Sequence, residues 1–288
     1  MNIGYVMKMD NISSNNKIIN IFRKKIKVIK KEEDTYFYVY IDKKFNTKKL
    51  RKIGQRINKK IYEEGIKTIV LSDDINAIKE IREELINNNV LDGRWLFNYL
   101  ILDTIEYVLD KKKKPIEESE ISILVNETSD VNIQNILQIA RVVKNLNIIT
   151  NNIDVFKQIE DKLYNDLGIA IRVTNNKRKS LIKSDVIINL DFNDETITKY
   201  TLPPNGIVVN INRKVALKKR FNGINISSYK ISVPVKYKLA NFKDNVMYES
   251  KIYSKTPYEN IIQRIRKDDI KVLGLIGNNG IIQPKEYV

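Results

Sequence analysis

Two periods of apolar residues alternate along this chain. TYFYVYI (35–41) is a β-branched and aromatic run that predicts a strand. Leu50, Ile53, Ile57 and Ile61 then recur at three and four residues, which predicts a helix ending at Gly65. KTIVLS (67–72) reads as a short buried strand, and Asp73 or Asp74 can cap a second helix carrying Ile75, Ile78, Ile81 and Leu85. Asp92 opens a third helix, with Trp95, Tyr99, Leu102, Ile105 and Leu109 along one side. Lys111 to Lys114 and Pro115 close it, because cations suit the negative end of a helix and Pro cannot continue one. Residues 1–114 are thus expected to form an N-terminal α/β lobe. Its first 34 residues are polar and basic and are assigned no regular element; FRKKIKVIKK (22–31) is readable as a strand or as a frayed arm.

The alternation is clearest after Pro115. ISILVNE (121–127) is a buried strand, Asp130 caps a helix with Ile133, Ile136, Leu137 and Ala140, and LNIIT (146–150) is a strand again. A helix with Ile153, Phe156, Ile159, Leu163 and Leu167 on one face ends at Gly168, followed by IAIRVT, VIINLD and GIVVNI. Five short apolar strands separated by helices or turns predict a parallel sheet covered on both faces, and right-handed crossovers make it doubly wound. Residues 115–230 are therefore read as a Rossmann-like domain whose ligand site lies at the carboxyl ends of its strands. In the segment 231–288, Thr256 can cap a helix with Tyr258, Ile261, Ile262 and Ile265, expected to pack back on the first lobe. KVLGLIGNNGII (271–282) reads as a strand and a tight hairpin.

Composition narrows the chemistry. The 288 residues hold 51 Lys+Arg against 35 Asp+Glu, a formal charge of +16, with neither Cys nor His. Disulfides, thiolate nucleophiles, iron–sulfur clusters and the usual structural zinc sites are excluded. Any general acid or base must be a carboxylate, Lys or Tyr. No stretch approaches the length of a membrane span, and MNIGYVMKMDNISSNNK lacks a signal-peptide core, so a cytoplasmic protein is expected. The charge invites nucleic acid through counterion release. Yet Lys outnumbers Arg about three to one amid abundant Ile and Asn, the mixture an AT-rich genome produces. The basic helix face of Lys49, Arg51, Lys52, Arg56, Lys59 and Lys60 has no interleaved aromatic on which bases could stack.

Residues 121–211, with SDVIINLD (184–191) followed by LPPNGIVVNI (202–211), resemble the nucleotide-binding domain of the shikimate dehydrogenase and methylene-tetrahydrofolate dehydrogenase kind. The resemblance covers about a third of the chain and implies an α/β lobe followed by a Rossmann domain that takes NAD or NADP. The phosphate loop departs from that pattern. Where such a domain has G-x-G-x-x-G, this chain has Asn126, Glu127, Thr128, Ser129 and Asp130. No glycine lets the backbone approach a diphosphate there, and each close carboxylate repels one by roughly 1–4 kcal/mol at effective dielectrics of 80 to 20. After the second strand stand Thr150, Asn151 and Asn152 rather than the acidic residue that binds ribose hydroxyls. The Asn-x-Thr-x-x-x-Lys pattern of a shikimate dehydrogenase substrate site is absent, so no catalytic residue carries over.

A polar collar remains at the strand ends: Asn126, Thr128, Ser129, Asn151, Asn175, Asn176, Asp191, Asn210 and Asn212. It could cradle a small polar ligand, or it could consist of ordinary caps and turns. The loop NNKRKS (175–180) could hold a phosphate such as that of NADP, or be a solvated turn. DGRWLFNYL (92–100), with the only Trp, reads either as core or as a protein-partner surface. The leading expectation is a non-catalytic or accessory Rossmann-like protein with a degenerate dinucleotide site, no catalytic or metal-ligating residue, and no cofactor. The alternatives are an atypical NAD(P)-dependent oxidoreductase using Lys or Asp groups of the first lobe, and a nucleic-acid-binding protein acting through its basic surface.

Overall fold

The computed structural model describes residues 2–9, 26–253 and 257–287. The chain is a mixed α/β protein that divides into two compact units, one formed by residues 1–93 with 234–253 and the other by 94–233 with 254–288. The sequence alone placed the first boundary after Lys114; in the structure it falls between Gly93 and Arg94.

The first unit begins with β1 (Ile3–Lys8), β2 (Ile26–Lys31) and β3 (Asp34–Val39). They are followed by α1 (Thr47–Glu63), β4 (Thr68–Leu71), α2 (Asp73–Asn76), α3 (Lys79–Glu84) and β5 (Asn89–Leu91). The sheet order is β2-β3-β1-β4-β5, antiparallel only between β2 and β3. Among the described residues before Asp34, two strands stand where the sequence suggested none with certainty, and IGYVMK is the central strand of the sheet. Residues 10–25, which include the start of FRKKIKVIKK, lie outside the described residues. Asn46 caps α1 by accepting from Lys49 N at 2.9 Å, and Ile53, Ile57 and Ile61 bury its inner face against Phe37, Ile69 and Ile81.

The second unit opens with α4 (Arg94–Tyr99) and α5 (Ile101–Lys112). The expected single third helix is broken at Leu100, whose ψ of 18° departs from helical geometry, so the buried residues shift to Leu96, Phe97 and Tyr99, then Ile101, Ile105, Val108 and Leu109. The sheet is built from β6 (Glu120–Leu124), α6 (Asp130–Ala140), β7 (Asn145–Ile149), α7 (Ile153–Leu167) and β8 (Arg172–Thr174). There follow β9 (Val186–Asn189), α8 (Asp194–Ile197), β10 (Ile207–Asn210) and β11 (Ile224–Ile231). After a return to the first unit through α9 (Asp244–Ile252), the chain completes the second unit with α10 (Tyr258–Lys267), β12 (Val272–Gly277) and β13 (Gly280–Ile281). The helix expected after Thr256 is α10, and it belongs to the second unit; Thr256 itself lies outside the described residues. The element that returns to the first unit is α9, whose Val246 and Met247 pack with Tyr5, Val70 and Leu91.

The eight strands run β13-β12-β11-β10-β9-β6-β7-β8. Six are parallel, and read from β8 to β11 their order in the domain is 3-2-1-4-5-6, that of the Rossmann fold. Burial explains the near-continuous apolar runs: all four residues of VIIN and of IVVN are buried, as is every residue of β6 after Glu120. The order reverses between β6 and β9, which fixes the switch point beside the loop that follows β6.

Candidate functional site

At the carboxyl ends of β6 and β9 the ladder continues one residue past each strand, with Leu190 N donating to Leu124 O and Val125 N to Ile149 O. The two chains then diverge, leaving the loop 126–129 beside Asp191. Asn126 N donates to both oxygens of the Asp191 carboxylate, at 2.9 and 2.7 Å, and Glu127 N donates to Oδ2 at 2.7 Å. These are main-chain amides of the first βα turn, the groups that hold a pyrophosphate in a dinucleotide-binding domain. Here a carboxylate of the same chain takes them.

The rest of the loop is equally engaged. Asn126 Oδ1 accepts from Asn151 N at 2.8 Å, and Asn152 Nδ2 donates to Asn126 O at 2.7 Å, stitching the loop to the turn after β7. Ser129 Oγ caps α6 by accepting from Asn132 N, while Asn132 Nδ2 donates to Glu127 O. Asp130 adds a negative charge in the first turn of α6, where the helix dipole favours one. Burial raises the Asp191 carboxyl above its ordinary value, and the amide hydrogen bonds from Glu127 and Asn126 offset part of that rise.

Of the collar expected from sequence, Asn126, Asn151 and Asp191 are brought together and bond one another, while Ser129 is spent on capping α6. Thr128 and Asn175 are exposed and stand outside that network. Asn176 Oδ1 accepts from the amides of Arg178 and Lys179 at 3.1 Å, so NNKRKS is a side-chain-supported turn with its cations exposed. Asn212 Nδ2 donates to Leu190 O and its Oδ1 accepts from Asn98 Nδ2.

Asn210 requires a correction. Rather than facing a cleft, it is fully buried in a chain of side-chain amides. Asn189 Nδ2 donates to Asn210 Oδ1 at 2.9 Å, Asn210 Nδ2 donates to Asn225 Oδ1 at 2.6 Å and to Ile226 O at 3.0 Å, and Asn225 Nδ2 donates to Val215 O at 2.9 Å. Asn210 thus spends both its amide hydrogens and its oxygen within the fold, and does not face a ligand. Asn189 and Asn225 were missed from the sequence. The available signal was an Asn closing two successive all-apolar strands, where a buried polar residue must find partners.

In the first unit, Lys251 Nζ donates to Asp34 Oδ2 at 2.6 Å, and Tyr5 Oη lies 2.9 Å from Ser250 Oγ. Burial opposes the charge on Lys251, but the Asp34 carboxylate and Tyr5 outweigh it and push the ammonium above its ordinary value. Lys251 thus stays protonated at neutral pH and acts as an ion-pair partner, not as a base. Among the described residues no group of three or more acidic side chains is placed to hold a metal ion, and no helix is long and apolar enough to cross a membrane.

The geometry defines a Rossmann-type domain in which the first amides after β6 are bonded by a carboxylate of the same chain. No protein-family model matches the sequence, and no curated protein matches it. Among solved structures, the chain is similar to Δ1-pyrroline-2-carboxylate reductase from Thermococcus litoralis in complex with NADH and L-proline, at 15% identity over 42% of this chain and 40% of that one, with a TM-score of 0.28. It is similar to L-tryptophan dehydrogenase from Nostoc punctiforme at 8% identity, 73% and 63% coverage and a TM-score of 0.30. It is also similar to shikimate 5-dehydrogenase from Listeria monocytogenes in complex with shikimate and NAD, at 10% identity, 92% and 96% coverage and a TM-score of 0.30. The chain spans less than two thirds of the length of the first two. At these scores the likenesses carry no argument about activity, and the fold assignment rests on strand order and direction.

Proposed function

We propose that this chain is a binding or accessory protein built on a Rossmann-type domain that does not seat a dinucleotide in the usual way. The observation that carries the reading is the Asp191 carboxylate, held by Asn126 N and Glu127 N at 2.7–2.9 Å where a diphosphate would need those amides. An incoming diphosphate has to displace an anion that is already bonded, beside two further carboxylates, Glu127 and Asp130. A neutral polar ligand meets no such opposition at the exposed edge formed by Thr128 and Asn151. A cytoplasmic location fits this reading and the absence of Cys.

A second reading, an NAD(P)-dependent oxidoreductase, is favoured by the 3-2-1-4-5-6 strand order, which creates the crevice where dinucleotides bind. Calorimetric titration with NAD, NADH, NADP and NADPH separates the two. The accessory reading expects that, with Lys218 and Lys219 both replaced by Ala, no cofactor binds up to millimolar concentration, and that no reduced cofactor is consumed with hydroxy or keto acids. Measured turnover with any of them replaces it with the oxidoreductase.

A further inference from the structure

A run of cations follows β10 in the second unit, starting beside Asp191, to whose carbonyl oxygen Arg213 Nη2 donates at 3.3 Å. The segment RKVALKKR (213–220) holds five cations and no acid in eight residues. Among the described residues, Lys214, Lys218, Lys219 and Arg220 have no carboxylate within salt-bridge distance, whereas Lys114 and Lys199 do. This segment leads into the amino end of β11, the end of the sheet opposite to Asp191, because Ile224 pairs with Ile207 and Gly277 of the antiparallel β12 lies beside Ile226.

A cavity of about 560 Å³ opens there, lined by Lys218, Lys219, Phe221, Gly223 and the Gly277–Gly280 hairpin. That volume falls within the ordinary range for small-molecule sites. The wall is built by close main-chain approach: Gly223 lies so near Gly206 that a Cβ would meet Gly206 O at 2.1 Å. The main-chain amides of Asn222, Gly223, Asn278 and Asn279, all in the lining, have no internal hydrogen-bond partner among the described residues. The one acid in the lining, Glu286, is turned to its own chain, where its Oε2 accepts from Gln283 N at 2.6 Å. Unpaired ammonium groups, free amides on glycine-containing turns and a flat apolar ring are the elements that recognise a phosphate on a small organic molecule.

We propose that this cavity at the amino end of β11 is a binding site for a small phosphate-bearing molecule, independent of the proposed accessory role of the opposite end. Pyrophosphate and ADP are the probes, titrated calorimetrically and by amide chemical shift at low ionic strength. Saturable binding with shifts centred on Gly223, Gly277 and Gly280 is expected. The double substitution Lys218→Ala, Lys219→Ala should weaken it at least tenfold; Lys157→Ala, Lys162→Ala on α7 should change it less than twofold, and Asp191→Ala should leave it intact. All these side chains except Asp191 are exposed, so the lysine variants should fold, as circular dichroism will check. No binding by the wild type at millimolar probe overturns the proposal, as does equal weakening by the α7 pair. A short single-stranded oligonucleotide that binds more tightly than both probes, with the same dependence on Lys218 and Lys219, overturns it in favour of a nucleic-acid interface.

Discussion

Replacing Asp191 with Ala tests most directly the proposal that its carboxylate occupies the amides a diphosphate would need. A charge-assisted hydrogen bond contributes about 1.5–3 kcal/mol, and two amides lose theirs. Glu127 is exposed, so water takes over its amide at little cost; Asn126 is half-buried, so its loss counts more fully. Relief of the buried charge works the other way, in keeping with the raised Asp191 carboxyl. The balance is a destabilisation of about 1–3 kcal/mol, which lowers Tm by about 2–12 °C in a unit of this size. The freed amides should then accept an anion, weakly because Glu127 and Asp130 remain. With Kd about 1 mM, 10 mM pyrophosphate restores about 1.4 kcal/mol, or about 3–6 °C. Thermal unfolding of wild type and variant, in the Lys218→Ala, Lys219→Ala background to silence the other cavity, measures both effects. The reasoning is refuted if the variant melts with the wild type, or if pyrophosphate raises both melting temperatures equally in that background.

Three further outcomes follow from the packing. Gly223→Ala should destabilise the second unit by about 2–3 kcal/mol, seen as a lower urea midpoint, since its Cβ would meet Gly206 O and Phe221 Cζ and overpacking costs typically about 1–3 kcal/mol. Asn210→Ala strips a donor from Asn225 and an acceptor from Asn189 inside the sheet, and should cost about 2–4 kcal/mol by the same measurement, at about 1–3 kcal/mol per orphaned buried group. Burial raises the Asp103 carboxyl above its ordinary value of 3.8, against its own main-chain hydrogen bond and Arg266. The native state therefore holds this proton more tightly, and its contribution to stability falls as pH rises from that value through the raised one. Asp103→Asn should raise Tm at pH 7 and lose that advantage below pH 4; a variant less stable than wild type at pH 7 contradicts the assignment.

Strand and helix succession was legible in the second unit because buried parallel strands leave short apolar runs such as VIIN and IVVN between turn residues. The same logic failed for IGYVMK, whose first four residues are buried but which stands among polar residues with no flanking helical period. DNVMYESKI was also missed: α9 buries nearly all round, so Asn245, Glu249 and Ser250 interrupt the periodicity that would have marked it. The break at Leu100 left no trace, since DGRWLFNYLILDTIEYVL reads as one continuous apolar stripe. At the site, the lack of glycine in 126–130 was visible, but the role of Asp191 was not. It depends on a contact across 65 residues that only the adjacency of β6 and β9 creates. Asn210 misled because a polar residue at a strand end reads the same whether it faces solvent or a buried amide chain.

The two open sheets present four outer strands, each a template on which a foreign chain could assemble. Three of them are too short to serve: β5 and β8 have three residues each and β13 has two. The fourth, β2, is longer but carries Lys27, Lys30 and Lys31, whose ammonium groups disfavour stacking of like upon like. Purified protein should accordingly resist fibril formation at high concentration and low salt, and become more prone to it as added electrolyte screens those lysines.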